Sequence, residues 1–343
     1  MVGISIVLPT YNRLSQLQKV LAGLAAQSYS PAAFEVVIIS DGSTDGTNAF
    51  LHSYAGPLQV HPFVQTNGGA AAARNYGLQM AQGDLIIFLD DDVVPEPQLV
   101  AEHVATHQQQ SAVVVLGPML TPPDVVLKPW VRWEQAMLYK QYGDMAAGRW
   151  APTARQFYTG NASVARHHLL AVGGFDPTFR RAEDVELAYR LAAQGLTFLF
   201  NANAIGYHYA DRSFASWLQT PYAYGRNDVI FTRERGQQWL LPTIMVEFQQ
   251  RHRLIKALTK LGLSRKILRN LLVQGLRHAA AVSNYVGQES LANRCYSGIF
   301  NLLYYQGMAD ELNGRQIFFD LVQRVVQETT VAETPSVFSF EGK

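Results

Sequence analysis

Within the first 117 residues, short β-branched-rich apolar runs alternate with stretches of helical spacing. The runs are ISIVLP (4–9), FEVVIIS (34–40), LIIFLD (85–90) and AVVVLG (112–117), and LQVHPFVQT (58–66) reads as a further strand despite Pro62. Between them, Leu14, Leu17, Val20, Leu21 and Leu24 recur on one helical face, as do Ala73, Tyr76, Gly77 and Met80. Strands with such continuous apolar runs must be covered on both faces. Amphipathic helices between them supply that cover, which gives an α/β fold with a mostly parallel sheet. Each run ends in polar or turn residues: PTYNR, SDGSTDGT, TNGGAAAARN and DDDVVP. In such sheets ligands bind beyond the carboxyl ends of the strands, so these four loops are expected to share one rim.

Composition narrows the class. Of 343 residues, 48% are hydrophobic and 16% charged, enough apolar sequence for a sizeable core and too little charge for a disordered chain. A net charge of +1 gives no support to a nucleic-acid binder. The single cysteine, Cys295, excludes an internal disulfide framework and fits a reducing compartment. The start MVGISIVLPTYNR reads as a first strand rather than a leader, and there is no run of about 18 apolar residues. A cytoplasmic protein is expected, with association to the inner face of a membrane left open. Residues 118–156, with Trp130, Trp133 and Trp150, read as loops and a helix across the sheet. A strand pair is expected near LTFLFNANAIGYHYA, then helices from about 213 to 330 with breaks near Gly236 and Pro242.

Asp90, Asp91 and Asp92 follow a fully apolar strand without interruption. Alternate residues of a strand project to one side, roughly 6–7 Å apart, so an Asp-x-Asp pair can hold a hard divalent cation or share it with a phosphate. The plainer reading is an acidic turn, with one aspartate capping the helix begun by PEPQLVAEHV. Asp41, in SDGSTDGT, stands where an acidic group can accept hydrogen bonds from a base or ribose, although the segment also reads as an ordinary turn. Arg74, in NGGAAAARN, is suited to a diphosphate or to the carboxylates; the alternative is a surface arginine. Glu183 and Asp184 open a helix in RRAEDVELAYRL, where the helix dipole alone favours negative charge. His208 ends a short run and is either a structural histidine or a metal ligand.

Taken together, IVLPTYNR, VVIISDGSTDGT, NGGAAAARNYGL, GDLIIFLDDDVVPEP and GGFDPTFRRAEDVELAYRL resemble, in order and spacing, the family-2 glycosyltransferases of the GT-A fold. The resemblance covers about residues 3 to 210. It implies a GT-A catalytic domain over 1–235; beyond it the sequence itself reads as a helical C-terminal region over 236–330 and a tail over 331–343. It further implies that Pro9, Thr10, Tyr11, Asn12, Arg13, Asp41, Asn67, Arg74, Asp90 and Asp91 bind a UDP- or GDP-type nucleotide sugar. Asp92, Asp90 and His208 would hold Mn²⁺ or Mg²⁺, and Asp184, beside Glu183, would be the general base. The implied activity is inverting, metal-dependent transfer to an acceptor hydroxyl in polysaccharide, glycolipid or cell-surface glycan synthesis. Two rivals remain: a sugar-1-phosphate nucleotidyltransferase, disfavoured by the glycine-free loop PTYNRLSQL, and a non-catalytic sugar-binding descendant of the fold. Outside the resemblance, residues 251–277 carry eight Lys or Arg and no Asp or Glu among regularly spaced leucines. That pattern suits either a membrane interface or a helix packed on the rest of the chain with a solvated basic face.

Overall fold

A computed structural model describes residues 3–329, so the expected tail over 331–343 lies outside the described residues. The chain forms two compact units that divide between Asp211 and Arg212. The sequence reading set the division at 235. The difference arises because the long helix beginning at Phe214 packs against a late helix of the second unit.

The first unit is built on a seven-stranded sheet in the order β3-β2-β1-β4-β8-β6-β9. Its members are β1 (Ile4–Thr10), β2 (Phe34–Asp41), β3 (Gln59–Gln65), β4 (Leu85–Leu89), β6 (Val113–Leu116), β8 (Asn161–Ala165) and β9 (Thr197–Phe200). β1 runs parallel to β2 and β4, and β2 parallel to β3. β8 is inserted antiparallel between β4 and β6, which makes the sheet mixed. Every residue of β2 and β4 is buried. β3 lies at the sheet edge and is largely exposed, which is where a proline such as Pro62 is tolerated.

Helices α1 (Leu14–Ala25), α2 (Thr47–His52), α3 (Ala70–Met80) and α4 (Leu99–Gln109) connect these strands. Leu17, Val20, Leu21 and Leu24 of α1 are buried in the core cluster. On α3, Gly77 faces the sheet so closely that a Cβ there would lie 2.5 Å from Val7 Cγ1. β8 is polar for a central strand, and α4 explains how. The buried ring of His103 contacts Ser163 Oγ through Nδ1 (2.8 Å) and Asn161 Oδ1 through Nε2 (2.9 Å). Burial pushes His103 down to about 4, so it serves as a neutral link.

A second, three-stranded sheet has the order β5-β10-β7, formed by β5 (Val93–Pro95), β10 (Gly206–His208) and β7 (Met119–Leu120). The expected pairing near 196–210 is therefore corrected: β9 pairs with β6, whereas β10 pairs with β5 and β7. Six residues after β9 the chain has already left the main sheet through a turn at 202–204. Helices α5 (Pro129–Ala146), α6 (Arg166–Ala171) and α7 (Glu183–Ala193) complete this unit.

The second unit is helical: α8 (Phe214–Glu234), α9 (Leu240–Gln250), α10 (Arg253–Gly262), α11 (Lys266–Tyr285), α12 (Glu289–Glu311) and α13 (Arg315–Thr329). Gly236 falls between helices, but Pro242 does not break one. It stands in the first turn of α9, where no intrahelical N–H is required. α8 and α12 cross with backbones nearly touching. A Cβ at Gly225 would meet Tyr304 O at 1.9 Å, and one at Gly307 would meet Tyr222 O at 2.0 Å.

Candidate active site

The carboxyl ends of β1, β2 and β4 bring the sequence loops onto one rim, and strand register decides which side chains meet. Val7 lies opposite Phe88 in the β1–β4 pairing, and continuing that register sets Thr10 beside Asp91. Thr10 Oγ1 donates to Asp91 Oδ2 at 2.7 Å. Arg13, at the entry to α1, reaches back with Nη1 to Asp91 Oδ1 at 3.2 Å and to Asp92 Oδ2. The antiparallel register of His208 with Val93 sets the imidazole next to the preceding Asp92. Its Nε2 lies 3.6 Å from Asp92 Oδ1, while Tyr209 N donates to Asp92 O at 2.8 Å. None of the three aspartates caps α4, because β5 intervenes and Gln98 holds the cap position.

Asp90 takes a different partner. Arg74, only 5% exposed, donates through Nη2 to Asp90 Oδ1 (2.8 Å) and through Nη1 to Glu183 Oε1 (3.0 Å). It is therefore no surface arginine but a buried bridge between two acidic groups far apart in sequence. Its Nε has no hydrogen-bond partner. At the start of α7, Ala182 adopts a left-handed backbone (φ 59°) that turns the chain into the helix. Asp184 Oδ1 there accepts from its neighbouring Val185 N at 2.8 Å. Burial, then the adjacent Glu183 carboxylate, push Asp184 up to about 7, against the opposing pull of Arg74. Burial likewise raises Asp91 to about 6. Asp92 is also buried, but His208 and Arg13 outweigh the cost of burial and hold it below the usual carboxylate range.

Asp41 is 5% exposed and already engaged. Its carboxylate accepts from Gln65 Nε2 (2.7 Å), Gly68 N (2.7 Å) and Gly69 N (2.9 Å), and Asn67 Nδ2 donates to its carbonyl (2.9 Å). Asp41 and Asn67 thus fix the turn into α3. Asn12, with φ 52°, ties its own loop to the next: its N–H donates to Ser43 Oγ and its Oδ1 accepts from Thr44 N. Pro9 is half-buried in β1, and the Tyr11 ring is exposed at the rim. Beside it, a groove of about 280 Å³ is lined by residues including Lys19, Val126, Lys128 and Tyr209.

Two further residues belong to the site and were not singled out in the sequence. Arg180 Nη1 donates to Gly68 O at 3.3 Å, and a Cβ at Gly69 would meet that nitrogen at 2.9 Å. Gly160 approaches Asp90 so closely that a Cβ would lie 3.0 Å from Oδ2. Arg180 is one of two adjacent arginines in RRAED, and nothing in that run says which one turns back to the glycine loop.

The mutual repulsion of three adjacent carboxylates is offset by Arg13, Arg74 and Thr10. Among the described residues, no cluster of three or more Asp, Glu, His or Cys side chains is gathered closely enough to enclose a metal ion. The Asp92 carboxylate and the His208 imidazole do converge, however, and an oxygen–nitrogen donor pair of that kind suits Mn²⁺ or Mg²⁺ with part of the coordination left to ligand oxygens.

An open α/β sheet with an acidic strand end, an aspartate-bearing second strand and a facing Glu-Asp helix start defines a GT-A-type architecture. Residues 5–170, just under half of the chain, match the model of the glycosyl transferase family 2. It is 34% identical over 229 residues to validoxylamine A glucosyltransferase of Streptomyces hygroscopicus subsp. limoneus, covering 59% of this chain and 51% of that protein. With hyaluronan synthase of Pasteurella multocida it shares 30% identity over 238 residues, covering 60% of this chain and 24% of the synthase. The chain thus spans about half or less of the length of these curated relatives. Among solved structures it resembles the mannosyltransferase PcManGT from Pyrobaculum calidifontis in complex with GDP-Man and Mn²⁺. The TM-score is 0.61 at 17% identity, covering 89% of this chain and 87% of that one. It also resembles TarS of S. aureus, with a TM-score of 0.53 at 20% identity, covering 90% of this chain and 55% of that one. At these identities the likeness is one of fold.

Proposed function

We propose that the chain transfers a sugar, with inversion, from a UDP- or GDP-type nucleotide sugar to an acceptor hydroxyl in the synthesis of a polysaccharide, glycolipid or cell-surface glycan. The observation that carries this reading is the Arg74 bridge, which draws Asp90 at the end of β4 and Glu183 at the start of α7 into one constellation with Asp184. A carboxylate whose proton affinity burial raises, set beside a rim of phosphate-compatible groups, favours a catalytic role over binding alone. The solved complex of PcManGT with GDP-Man and Mn²⁺ supports the donor class and the metal.

In this reading Pro9, Thr10, Tyr11 and Asn12 line the nucleoside side of the cleft, and Asp41 and Asn67 hold its glycine-rich wall. Arg13 faces the diphosphate, and Arg74 behind it holds Asp90 and Glu183 in place. Asp92 and His208 would hold Mn²⁺ or Mg²⁺, with the rest of its coordination left to donor oxygens, and the ion when bound would supply Lewis-acid stabilisation to the leaving nucleoside diphosphate, while Asp90, paired with Arg74, stands on the donor side of the cleft. Asp184 accepts the proton of the acceptor hydroxyl as its oxygen bonds to the anomeric carbon and the carbon–phosphate-oxygen bond breaks. A single displacement of this kind inverts the anomeric centre. Glu183, anchored by Arg74, raises the proton affinity of Asp184 to suit that role. A lipid-linked glycan at a membrane surface is an acceptor class compatible with the assignment.

Asp184→Asn tests the base directly. Turnover with a suitable nucleotide sugar should fall by about 10²–10⁴-fold, while donor affinity by calorimetry stays within a few fold of wild type. Near wild-type turnover would remove Asp184 from the role.

A further inference from the structure

Helices α10 and α11 lie side by side on α12. Gly298 of α12 is close to both: a Cβ there would meet Leu258 Cδ1 at 3.2 Å and Leu276 Cδ1 at 3.4 Å. A Cβ at Gly262 would likewise meet Leu302 at 2.9 Å and Leu272 at 3.4 Å. Val273 and Ala280 of α11 are buried on this inner side. A helix with one such packed face normally turns a polar face outward. Here it does not. Ile267, Leu271, Val282 and Tyr285 follow helical spacing on the opposite face of α11, and Ile267 is 80% and Tyr285 92% exposed. On α10, Leu254 and Leu261 stand two turns apart on one face, with Leu254 64% exposed. The outer side of this layer therefore exposes a group of large apolar side chains, Leu254, Leu261, Ile267 and Leu271, before Gln274 and His278 interrupt the face, with nothing packed on that group among the described residues. Surfaces of that kind mark interaction sites.

Charge selects the occupant. Residues 251–277 hold eight Lys or Arg and no acidic residue. Arg253 and Lys260, each next to an exposed leucine, make no ion pair among the described residues. Together with Lys256 they line a groove of about 350 Å³ whose walls include Phe248 and Phe319. A second copy set face to face would oppose like charges, whereas an anionic bilayer offers negative headgroups above an apolar interior. Among the described residues no helix is long and apolar enough to cross a membrane, so such an attachment would be peripheral.

We propose that the outer side of the α10–α11 layer is an anionic-membrane docking surface: Leu254, Leu261, Ile267 and Leu271 enter the headgroup–acyl boundary while Arg253, Lys256 and Lys260 contact lipid phosphates. The inference rests on the helical unit alone and does not depend on the transferase reading. The test is sedimentation of the full chain with vesicles of phosphatidylcholine alone, or mixed with phosphatidylglycerol. Binding to the mixed vesicles only is expected, weakening at high salt. Arg253→Ser/Lys260→Ser should lower apparent affinity by roughly thirtyfold, about fivefold for each charge. Ile267→Ser/Leu271→Ser should abolish detectable binding, with both double variants melting at the wild-type temperature. Absence of binding to the mixed vesicles would overturn the proposal, as would equal binding to both kinds. So would lipid-free dimerisation that the Ile267→Ser/Leu271→Ser pair removes, because the apolar group would then be a contact between copies.

Discussion

Arg74 is the residue on which both acidic groups depend. With its guanidinium buried and paired to Asp90 and Glu183, replacement by glutamine leaves two carboxylates and the nearby Asp184 without their shared counter-charge. Breaking a buried pair from one side costs about 3–5 kcal/mol, far more than a surface pair would. Arg74→Gln should therefore lower the unfolding free energy measured in denaturant by about that amount. It should also move the acid limb of the activity profile to higher pH, since the Arg74 charge holds the Asp184 proton affinity down. Asp184 makes a second prediction with a definite sign. Its folded-state proton affinity lies above the unfolded carboxylate value of 3.8, so the folded state binds more protons between about 4 and 7. Stability from this group is complete below that window and is lost as pH rises through it. Melting temperatures of wild type and Asp184→Asn should diverge from about pH 4 to pH 8, the asparagine variant becoming relatively more stable as pH rises. A constant gap would mean that Asp184 is not buried in an acidic setting.

At the level of elements, the α8–α12 crossing leaves no room for a side chain. Gly225→Ala sets a methyl 1.9 Å from Tyr304 O, a backbone atom that cannot rotate away. A loss of about 3 kcal/mol or more is expected in thermal or denaturant unfolding, while alanine at Gly236, in open space, should cost less, limited to its positive φ. The elements also show what a single sequence reveals. β1, β2, β4 and β6 were legible because strands covered on both faces carry unbroken central apolar runs, with polar residues such as Ser5, Glu35 and Ser40 confined towards the ends of β1 and β2. β8 was not: NASVA is short and half polar, and its burial depends on His103 from a helix about sixty residues earlier. β5 and β7, of three and two residues, are too short to carry a period. The triple aspartate and Glu183–Asp184 stood out in the sequence, but their juxtaposition through Arg74 did not, because it follows from strand order rather than from spacing. Nor did the part of Arg13, whose reach to Asp91 and Asp92 depends on β1 lying next to β4.

For the whole molecule, the central claim is that the rim formed by β1, β2 and β4 holds a nucleoside diphosphate while Asp184 removes the acceptor proton. The glycosyl transferase family 2 model matches residues 5–170, which include the carboxyl ends of those three strands. The most direct measurement is the rate of nucleoside diphosphate release from UDP- and GDP-sugars in Mn²⁺, with water as the acceptor. The account predicts release that stops on chelation, returns with added Mn²⁺, and falls at least about a hundredfold in Asp184→Asn. Release at the same rate in chelator, or undiminished in Asp184→Asn, would contradict it.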